Sequence, residues 1–462
     1  MKKFLGLTSE IGSVKENMKS SIYNIVLEDG DSLLLFNSMV GLDSLCRVSE
    51  EYNHIVRDVL YGSEHNTEIE QFLYKEGFLI DDDCDEFKKR ELLFSRLTSG
   101  NILRLIILPT EQCNFRCKYC YEDYKRGAMS FETQEAIIKF VQKNIQYYSA
   151  LRVSWFGGEP LVALDAIEYM SRELMSICKK AKRKYISDMT TNGYLLTEEV
   201  FRKLLSYNVL EYQITVDGIK EIHDSKKPLA NGQGTFDVVT QNLRNISNHI
   251  VSGSFHVIIR SNVTEDACES MDEFTTFFKE MLGEDGRFSF FLRPVGDWGG
   301  DVKFDEMCRK RIEDDEIKLV YNNFCKCGKG LKVSTHESFY DVGGCICYAG
   351  HKDSFVIDAN GGIRKCTCGL DDDNYIIGKL LSNGIMEIDN DKHSQWVGNT
   401  VRFSDKCYSC AFSPLCFGFC CPRSNQFECE NEVQIRCPSE KNYILDTFRL
   451  IEASGRNIKY LR

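Results

Sequence analysis

Residues 103–120 read Leu103-Arg104-Leu105-Ile106-Ile107-Leu108-Pro109-Thr110-Glu111-Gln112-Cys113-Asn114-Phe115-Arg116-Cys117-Lys118-Tyr119-Cys120. The first six residues form an almost continuous apolar run, which is typical of a strand covered on both faces of a parallel sheet. Three cysteines follow this run at once, with the spacing C-x3-C-x2-C. Thiolates are metal ligands, so the segment predicts a buried strand with a metal centre directly after it.

Short apolar runs of the same kind recur along the chain and are separated by helical stretches. Alternating strands and helices predict parallel βα units. Six such units indicate an α/β fold with a partial (β/α)6 TIM-like barrel, whose active site lies at the carboxyl ends of the strands. The predicted strands after 103–108 are 151–156, 188–191, 212–216, 256–260 and 288–292, and the predicted helices are 133–148, 164–182, 197–207, 236–247 and 271–282.

The residues before this barrel predict a small α+β domain. Two β-prone runs, Ile22–Leu27 and Ser32–Phe36, flank the hairpin sequence Glu28-Asp29-Gly30-Asp31. A third strand is expected within Leu42–Val48, and three helices are expected at 49–60, 67–75 and 85–97. Three strands with three helices predict a winged-helix domain. The expected domains are therefore 1–97, the barrel 98–300, a bridging region 301–344, a cysteine-rich domain 345–440 and a C-terminal helix 441–462.

The cysteines are unevenly distributed, because 11 of the 21 lie between Cys345 and Cys437. The N-terminus lacks the features of a secretory signal, and an odd cysteine count excludes complete internal pairing. Clustered cysteines in a reduced, cytoplasmic chain favour metal sites over disulfides. The net charge of −12 gives no support to nucleic-acid binding, and no apolar run is long enough for a membrane span. We therefore expect neither a nucleic-acid nor a membrane partner.

The triplet Cys113, Cys117 and Cys120 resembles the cluster-binding motif of the radical S-adenosylmethionine superfamily. A [4Fe–4S] cluster takes four ligands, so three cysteines leave one iron open, here for S-adenosylmethionine. A zinc site with a remote fourth ligand is the alternative. The resemblance implies catalytic and metal-binding roles for the three cysteines and a cofactor-binding role for Tyr119, which lies between the last two.

Further motifs follow successive predicted strands and resemble cofactor-binding segments of the same superfamily. Gly157-Gly158-Glu159 resembles the motif that binds the methionine amino group, and Asn192 matches a residue near the ribose. A simple Asn-Gly turn is the alternative for Asn192. Thr215 and Arg260 are candidate contacts, Arg260 with the cofactor carboxylate, although structural roles remain open for both. His223 is expected to anchor a loop by hydrogen bonds and not to act as a base.

The C-terminal cysteines resemble the SPASM extension, which carries two auxiliary [4Fe–4S] clusters. The resemblance implies Cys407, Cys410, Cys416 and Cys437 for the second cluster, and Cys347, Cys366 and Cys420 for the first. Cys345 is our choice for the remaining ligand, with Cys325, Cys327 or an open iron as alternatives. Cys368 receives no role. Three [4Fe–4S] clusters and S-adenosylmethionine are thus the expected cofactors.

The N-terminal domain resembles the RiPP recognition element that binds leader peptides of precursor peptides. The resemblance implies a leader groove between the third strand, 42–48, and the third helix, 85–97. It also implies a thioether-forming maturase of the sactipeptide or ranthipeptide kind. In such enzymes a 5′-deoxyadenosyl radical removes hydrogen from a peptide carbon, and a cysteine sulfur then bonds to that carbon. A flavodoxin or ferredoxin is the expected electron donor.

Two groups of alternatives remain open at this point. Within the SPASM enzymes, the chain can make carbon–carbon crosslinks or oxidise a side chain to formylglycine. From another class, a non-catalytic iron–sulfur or zinc scaffold can bind peptides. Gly157-Gly158-Glu159 and the cysteine triplet favour an enzyme, because a scaffold needs neither of them.

Overall fold

The computed structural model describes residues 17–122, 124–251, 253–283, 285–294, 331, 337–368, 370, 372–397, 405–418, 441, 444–453 and 456–461. The chain divides into two compact units. Unit 1 comprises residues 1–99, 335–347 and 401–462, and unit 2 comprises residues 100–334 and 348–400. The segment expected to form one cysteine-rich domain, 345–440, is therefore shared between the two units.

Strands occur in both units. In chain order they are β1 (Met18–Ser20), β2 (Asn24–Asp29), β3 (Ser32–Asn37), β4 (Cys46–Val48), β5 (Leu79–Asp81), β6 (Ile102–Ile107), β7 (Ala150–Trp155), β8 (Lys184–Thr191), β9 (Val209–Thr215), β10 (His256–Val263), β11 (Phe288–Pro294), β12 (Ser354–Ile357), β13 (Gly362–Arg364), β14 (Ile376–Leu380), β15 (Met386–Ile388) and β16 (Lys459–Leu461).

Helices separate most of these strands. In chain order they are α1 (Asn53–Leu60), α2 (Thr67–Lys75), α3 (Glu86–Thr98), α4 (Phe131–Asn144), α5 (Leu164–Lys180), α6 (Glu198–Ser206), α7 (Lys220–Lys226), α8 (Phe236–His249), α9 (Glu265–Glu269), α10 (Met271–Leu282), α11 (Asn390–Val397), α12 (Asp405–Tyr408), α13 (Ser413–Cys416) and α14 (Ile444–Ala453). Among the helices that the structure describes, none is long and apolar enough to cross a bilayer.

Unit 2 is built on one large sheet. Its strand order is β11-β10-β9-β8-β7-β6-β12-β13-β14-β15. The six strands β6 to β11 are all parallel, as predicted, and helices alternate with them along the chain. The sheet continues beyond β6, because β12 also pairs with β6 in parallel and β13 to β15 add an antiparallel extension. The predicted α/β fold with a large parallel sheet is thus confirmed.

The strands of this sheet are not apolar on both faces. In β6, Leu103, Leu105 and Ile107 are fully buried, whereas Arg104 between them is partly exposed. The polar face continues across the sheet, where Arg152 of β7 forms ion pairs with Asp188 of β8 and Glu211 of β9. Because side chains alternate along a strand, this face also carries the polar residues at the carboxyl ends of β8, β9 and β10.

Unit 1 contains a four-stranded sheet with the order β16-β4-β3-β2. The β2–β3 hairpin is confirmed, and its turn contains Gly30 with φ of +61°. The third strand is shorter than predicted, because a 3-10 turn occupies Gly41–Ser44 and only Cys46–Val48 is extended. β5 belongs to a separate pair with β1.

The outer edge of β4 is paired in parallel with β16, which lies more than 400 residues further along the chain. The leader groove was predicted between this third strand and the third helix, and it stays a prediction. In the structure residues 459–461 cover the outer edge of β4. The pairing was not detectable in the sequence, since a three-residue strand has no measurable period.

Candidate functional site

We call the loop that carries Cys113, Cys117 and Cys120 the cysteine loop. The residues that lead into it pack closely against the loop that follows β7. A Cβ atom at Gly157 would lie 2.2 Å from the carbonyl oxygen of Thr110, and one at Gly158 would lie 2.5 Å from that of Glu111. Gly157 also has φ of +126°, which L side chains rarely adopt. Glu159 N–H then donates to the carbonyl of Gln112 at 3.0 Å. Only glycine fits at positions 157 and 158, because the neighbouring backbone leaves no room for a Cβ atom.

The other side of the cysteine loop pairs with residues 226–230, which begin at the last residue of α7. Arg116 N–H donates to the carbonyl of Pro228 at 2.9 Å, and Lys118 N–H donates to that of Lys226 at 3.0 Å. Ala230 N–H donates in the reverse direction to the carbonyl of Asn114 at 2.8 Å. These three bonds form a short antiparallel ladder, so main-chain contacts order the loop that carries the cysteines.

Tyr119 connects the tip of this loop to the ends of β9 and β10. Its hydroxyl donates to the carboxylate of Asp217 and accepts from Asn262 Nδ2 at 3.2 Å. Lys227 Nζ donates to the same hydroxyl at 3.3 Å. Burial and the neighbouring Asp217 raise the pKa of Tyr119 well above its ordinary value, so the phenol stays protonated and donates.

The three cysteines face a cavity of about 320 Å³ at the carboxyl ends of the strands. This volume is at the lower end of the ~300–1,000 Å³ typical of small-molecule sites. The predicted residues that line the cavity are Cys113, Cys117, Cys120, Tyr119, Gly157, Gly158, Asn192, Thr215 and Arg260. Residues from loops more than 140 positions apart in the sequence thus meet at one place, where βα folds carry their active sites.

Glu159 is fully buried but does not line the cavity. Its carboxylate accepts hydrogen bonds from Leu161 N, Thr191 Oγ1 and Asn192 N, at 3.0, 2.7 and 2.7 Å. Burial raises the pKa of Glu159, while these donors oppose that shift. The side chain therefore ties the loop after β7 to the end of β8.

Asn192 contacts the cysteine loop through a side-chain hydrogen bond. Its Nδ2 donates to Asn114 Oδ1 at 2.7 Å, and its Oδ1 accepts from Tyr194 N. Asn114 Nδ2 is buried and has no hydrogen-bond partner among the described residues. This donor lies next to Cys113 in the chain.

The donor set fits an iron–sulfur cluster with a bound small molecule. Burial raises the pKa of Cys113 to about 12 and that of Cys117 to about 11, so the metal-free thiols are protonated and must release protons on binding metal. Phe115 N–H already points at the sulfur of Cys113, 3.3 Å away. Cys113, Cys117 and Cys120 would hold the cluster, and the polar strand ends would contact the cofactor.

Sequence reasoning missed several residues that line the cavity, of which Lys227 is the most informative. Its side chain is only 5% exposed. Burial is the largest single effect and opposes the charge, but Cys117, Asp217, Cys113 and Cys120 together outweigh it, so the pKa of Lys227 is raised. Lys-Lys-Pro after a short helix reads as an exposed turn, because lysines are rarely buried. The other missed residues are Phe115, Tyr121, Glu122, Tyr124, Phe156, Thr190, Thr191, Gln213, Asn262, Thr367 and Cys368.

The predicted ligands of the auxiliary clusters fall into three groups. Cys345, Cys347, Cys407, Cys410 and Cys416 belong to unit 1, Cys366 belongs to unit 2, and Cys420 and Cys437 lie outside the described residues. Cys345 and Cys416 are part of one apolar core cluster of unit 1. Within the described ranges, no three Cys, His, Asp or Glu side chains, those of the cysteine triplet included, form a group that could hold one single metal ion. The assignment of auxiliary ligands therefore stays a prediction.

His223 has the anchoring role that was predicted. It is fully buried, its Nδ1 accepts from Asp217 N–H at 3.2 Å, and its Nε2 lies 3.1 Å from Thr235 Oγ1. The Thr235 hydroxyl donates to the carbonyl of Lys227, so Nε2 of the neutral ring is the donor to Thr235. The histidine thus connects the end of β9 to the segment that pairs with the cysteine loop.

Comparisons with known proteins agree with this geometry. Residues 107–274 match the family model of the Radical SAM superfamily. The cysteine-type anaerobic sulfatase-maturating enzyme of Clostridium perfringens is 23% identical over 393 residues, which cover 77% of this chain and 99% of that protein. Mycofactocin maturase MftC of Mycolicibacterium smegmatis is 26% identical over 328 residues, 67% of this chain and 76% of MftC.

A solved structure also resembles this fold. Native anSMEcpe with bound AdoMet and Cp18Cys peptide superimposes with a TM-score of 0.58 at 21% identity. The superposition covers 77% of this chain and 99% of that one. The likeness supports the fold of the parallel sheet.

We expect His223 to make stability depend on pH. Burial and the nearby Lys227 lower its pKa to about 3, whereas the unfolded chain takes up this proton near the ordinary value. The folded state therefore loses stability as pH falls from about 6.5 towards 3, by on the order of 2 kcal/mol at pH 5. Urea midpoints at pH 7 and pH 5 measure this loss. In His223→Asn, which keeps an acceptor for Asp217 N–H, the loss should be smaller; an equal loss contradicts the assignment.

We expect Lys227→Met to weaken iron retention at the cysteine triplet. The substitution removes the buried cation beside Cys117 and Asp217 but keeps the main-chain ladder. Reconstituted protein should release this iron to a chelator roughly three- to tenfold faster, which corresponds to on the order of 1 kcal/mol. Lys226→Met is the matched control, because Lys226 is equally buried but pairs with Asp266. Equal release rates in the two variants would contradict a role of Lys227.

Proposed function

We propose that this protein is a radical SAM maturase of a ribosomally made precursor peptide, in which it installs cysteine sulfur-to-carbon thioether crosslinks. The observation that carries the proposal is the cavity where three cysteines meet the polar ends of β8, β9 and β10. The names of the relatives add support, since both the Clostridium perfringens and the Mycolicibacterium smegmatis proteins are maturases.

When bound, a [4Fe–4S] cluster supplies the electron that cleaves S-adenosylmethionine. The side chains of the protein position the cofactor and exclude water from it. Aromatic side chains such as Tyr121, Tyr124 and Phe156 line the cavity, and they limit the access of water to a reactive radical. We assign the methionine end of the cofactor to Gly157, Gly158, Glu159 and Arg260, and the ribose to Asn192 and Thr215. Glu159 acts through backbone positioning in this assignment, because its carboxylate is already bonded.

We propose recognition of a leader peptide by the N-terminal part of the chain, because its sequence resembles a RiPP recognition element. About a quarter of this chain lies outside the alignment with the Clostridium perfringens enzyme, although 99% of that enzyme lies within it. The chain therefore has additional residues beyond a sulfatase-maturating enzyme of that length. We propose that the α+β domain at residues 1–97 binds the leader, that the protein works in the cytoplasm, and that a flavodoxin or ferredoxin delivers the electrons.

Formylglycine formation is the second candidate. The specific observation in its favour is that sulfatase-maturating enzymes are among the relatives, of both the cysteine and the serine type. The two reactions differ in the fate of sulfur. A thioether crosslink keeps the cysteine sulfur and removes two hydrogens from the peptide, whereas oxidation of cysteine to formylglycine expels the sulfur.

A turnover assay tests the proposed reaction. Anaerobic protein, dithionite, S-adenosylmethionine and the small peptide encoded beside the gene should yield 5′-deoxyadenosine and a peptide that is two hydrogens lighter per link. The crosslinked cysteine should also resist alkylation. Cys117→Ala should abolish both products, while Cys178→Ala, a buried cysteine of α5 outside the cavity, should not. An unchanged peptide rejects the proposal, and loss of sulfur selects formylglycine formation instead.

Iron content tests the two auxiliary clusters independently of turnover. With three cubanes we expect about 12 irons per chain after anaerobic reconstitution. Replacing Cys407 and Cys410 together should remove about four irons and leave the cluster at the triplet spectroscopically intact. A content of about four irons in the unaltered protein would contradict both auxiliary clusters.

A further inference from the structure

Arg126 lies shortly after the cysteine loop and is tied back to the start of that loop. Gln112 Nε2 donates to the carbonyls of Tyr124 and Arg126 at 2.8 and 3.1 Å, so the chain folds back on itself here. The Arg126 guanidinium also forms an ion pair with Glu111 at 3.1 Å. Tyr124 lines the cavity, and Arg126 is therefore anchored beside one of its walls.

The other contacts of Arg126 reach the segment that follows β13. Its Nη1 donates to the carbonyl of Leu370 at 2.9 Å, and its Nη2 pairs with Asp373 at 3.3 Å. Between β13 and these two residues lie Thr367 and Cys368, which also line the cavity and which we call the 367–368 wall. One side chain thus joins the cysteine loop to a second wall of the cavity, across 244 positions of sequence.

A second guanidinium strengthens this connection. Arg364 of β13 pairs with Asp358 at 3.3 Å and with Asp373 at 3.2 Å. The side chains of Arg364, Asp358 and Glu111 are at most 3% exposed, and that of Arg126 is 14% exposed. Two largely buried cations therefore face two buried carboxylates, which is how a protein interior holds charge. Asp373 joins the two guanidiniums at the exposed rim of this network.

The contacts of Arg126 require an arginine. Glu111, the carbonyl of Leu370 and Asp373 all accept hydrogen bonds from the same planar fork. Lysine has the charge but not the fork, so it cannot make all three contacts at once. Leu370 also packs in an apolar cluster with Leu108 and Val356, and these contacts remain when the fork is lost. Replacement by lysine should therefore loosen the 367–368 wall without unfolding it.

We propose that Arg126 is a positioning residue for the reaction: by holding the 367–368 wall against the cysteine loop, it keeps S-adenosylmethionine and the peptide at reacting distance in the cavity. The inference rests on the proposed function, since it takes a peptide as the second occupant. Arg126 does not itself line the cavity, so it acts through the wall. With a loose wall, the hydrogen atom comes from a C–H bond of buffer or protein, and 5′-deoxyadenosine forms without modified peptide.

The ratio of 5′-deoxyadenosine to modified peptide tests this role in the reconstituted holoprotein. Arg126→Lys should raise this ratio, and also the dissociation constant of S-adenosylmethionine, by about three- to tenfold. Arg152→Lys is the matched control. Its guanidinium likewise bridges two carboxylates, those of Asp188 and Glu211, but it does not line the cavity. The control should leave both quantities nearly unchanged.

The thermal unfolding midpoint separates positioning from a purely structural role. A structural Arg126 would lower the midpoint, as Arg152→Lys can, and leave the ratio and the dissociation constant unchanged; that result overturns the proposal. Equal changes of both quantities in the two variants overturn it as well. If Arg126→Lys does not fold, Asp373→Asn replaces it, because Asp373 is 80% exposed and bonds both guanidiniums. The shifts should then be smaller and in the same direction.

The binding measurement separates this inference from the proposed function. Binding of S-adenosylmethionine needs no peptide, so its dissociation constant reports on Arg126 even when no peptide is modified. An unaltered protein that modifies no peptide rejects the proposed reaction, and weaker binding in Arg126→Lys alone then still supports the connection to the wall. Full turnover with unchanged ratio and affinity in Arg126→Lys rejects the inference and leaves the proposed reaction standing.

Discussion

The conformation of the cysteine loop depends on main-chain contacts with the segments on either side of it. On one side, Gly157 and Gly158 approach the carbonyls of Thr110 and Glu111 so closely that no side chain fits between them. On the other side, residues 226–230 pair with residues 114–118 through main-chain hydrogen bonds. A ligand set for a metal cluster must be held in place before the metal arrives if binding is to avoid a large ordering cost. These contacts hold it from both sides.

The same loop is connected electrostatically to the sheet. Tyr119 donates to Asp217, Lys227 donates to Tyr119, and His223 receives the N–H of Asp217. Each of these groups is paired with another, which is the condition for keeping polar side chains inside a protein. The ends of β9 and β10, the segment after α7 and the cysteine loop therefore form one polar network at the cavity.

The long elements of unit 2 were predictable, because six apolar runs and five helical stretches repeat in alternation. α10 has the predicted bounds, Met271–Leu282, and the other helices differ by a few residues at their ends. Short strands were not predictable. β12 pairs with β6, and β16 with β4, across more than 240 residues of sequence, and neither strand exceeds four residues. Their partners depend on which edges the rest of the fold leaves open.

The sequence by itself determined which loops meet at the site. The spacing of Cys113, Cys117 and Cys120 after an apolar run predicted a metal-binding loop there. The motifs after successive strands, together with a family resemblance, predicted Gly157, Gly158, Asn192, Thr215 and Arg260 as its neighbours, and all five line the same cavity. Only the tertiary structure decided what Lys227 and Glu159 do, since burial of a charged residue is set by what packs around it and not by its own position in the sequence. The partner of β4 was decided in the same way, because an open edge accepts whichever strand the folded chain brings to it.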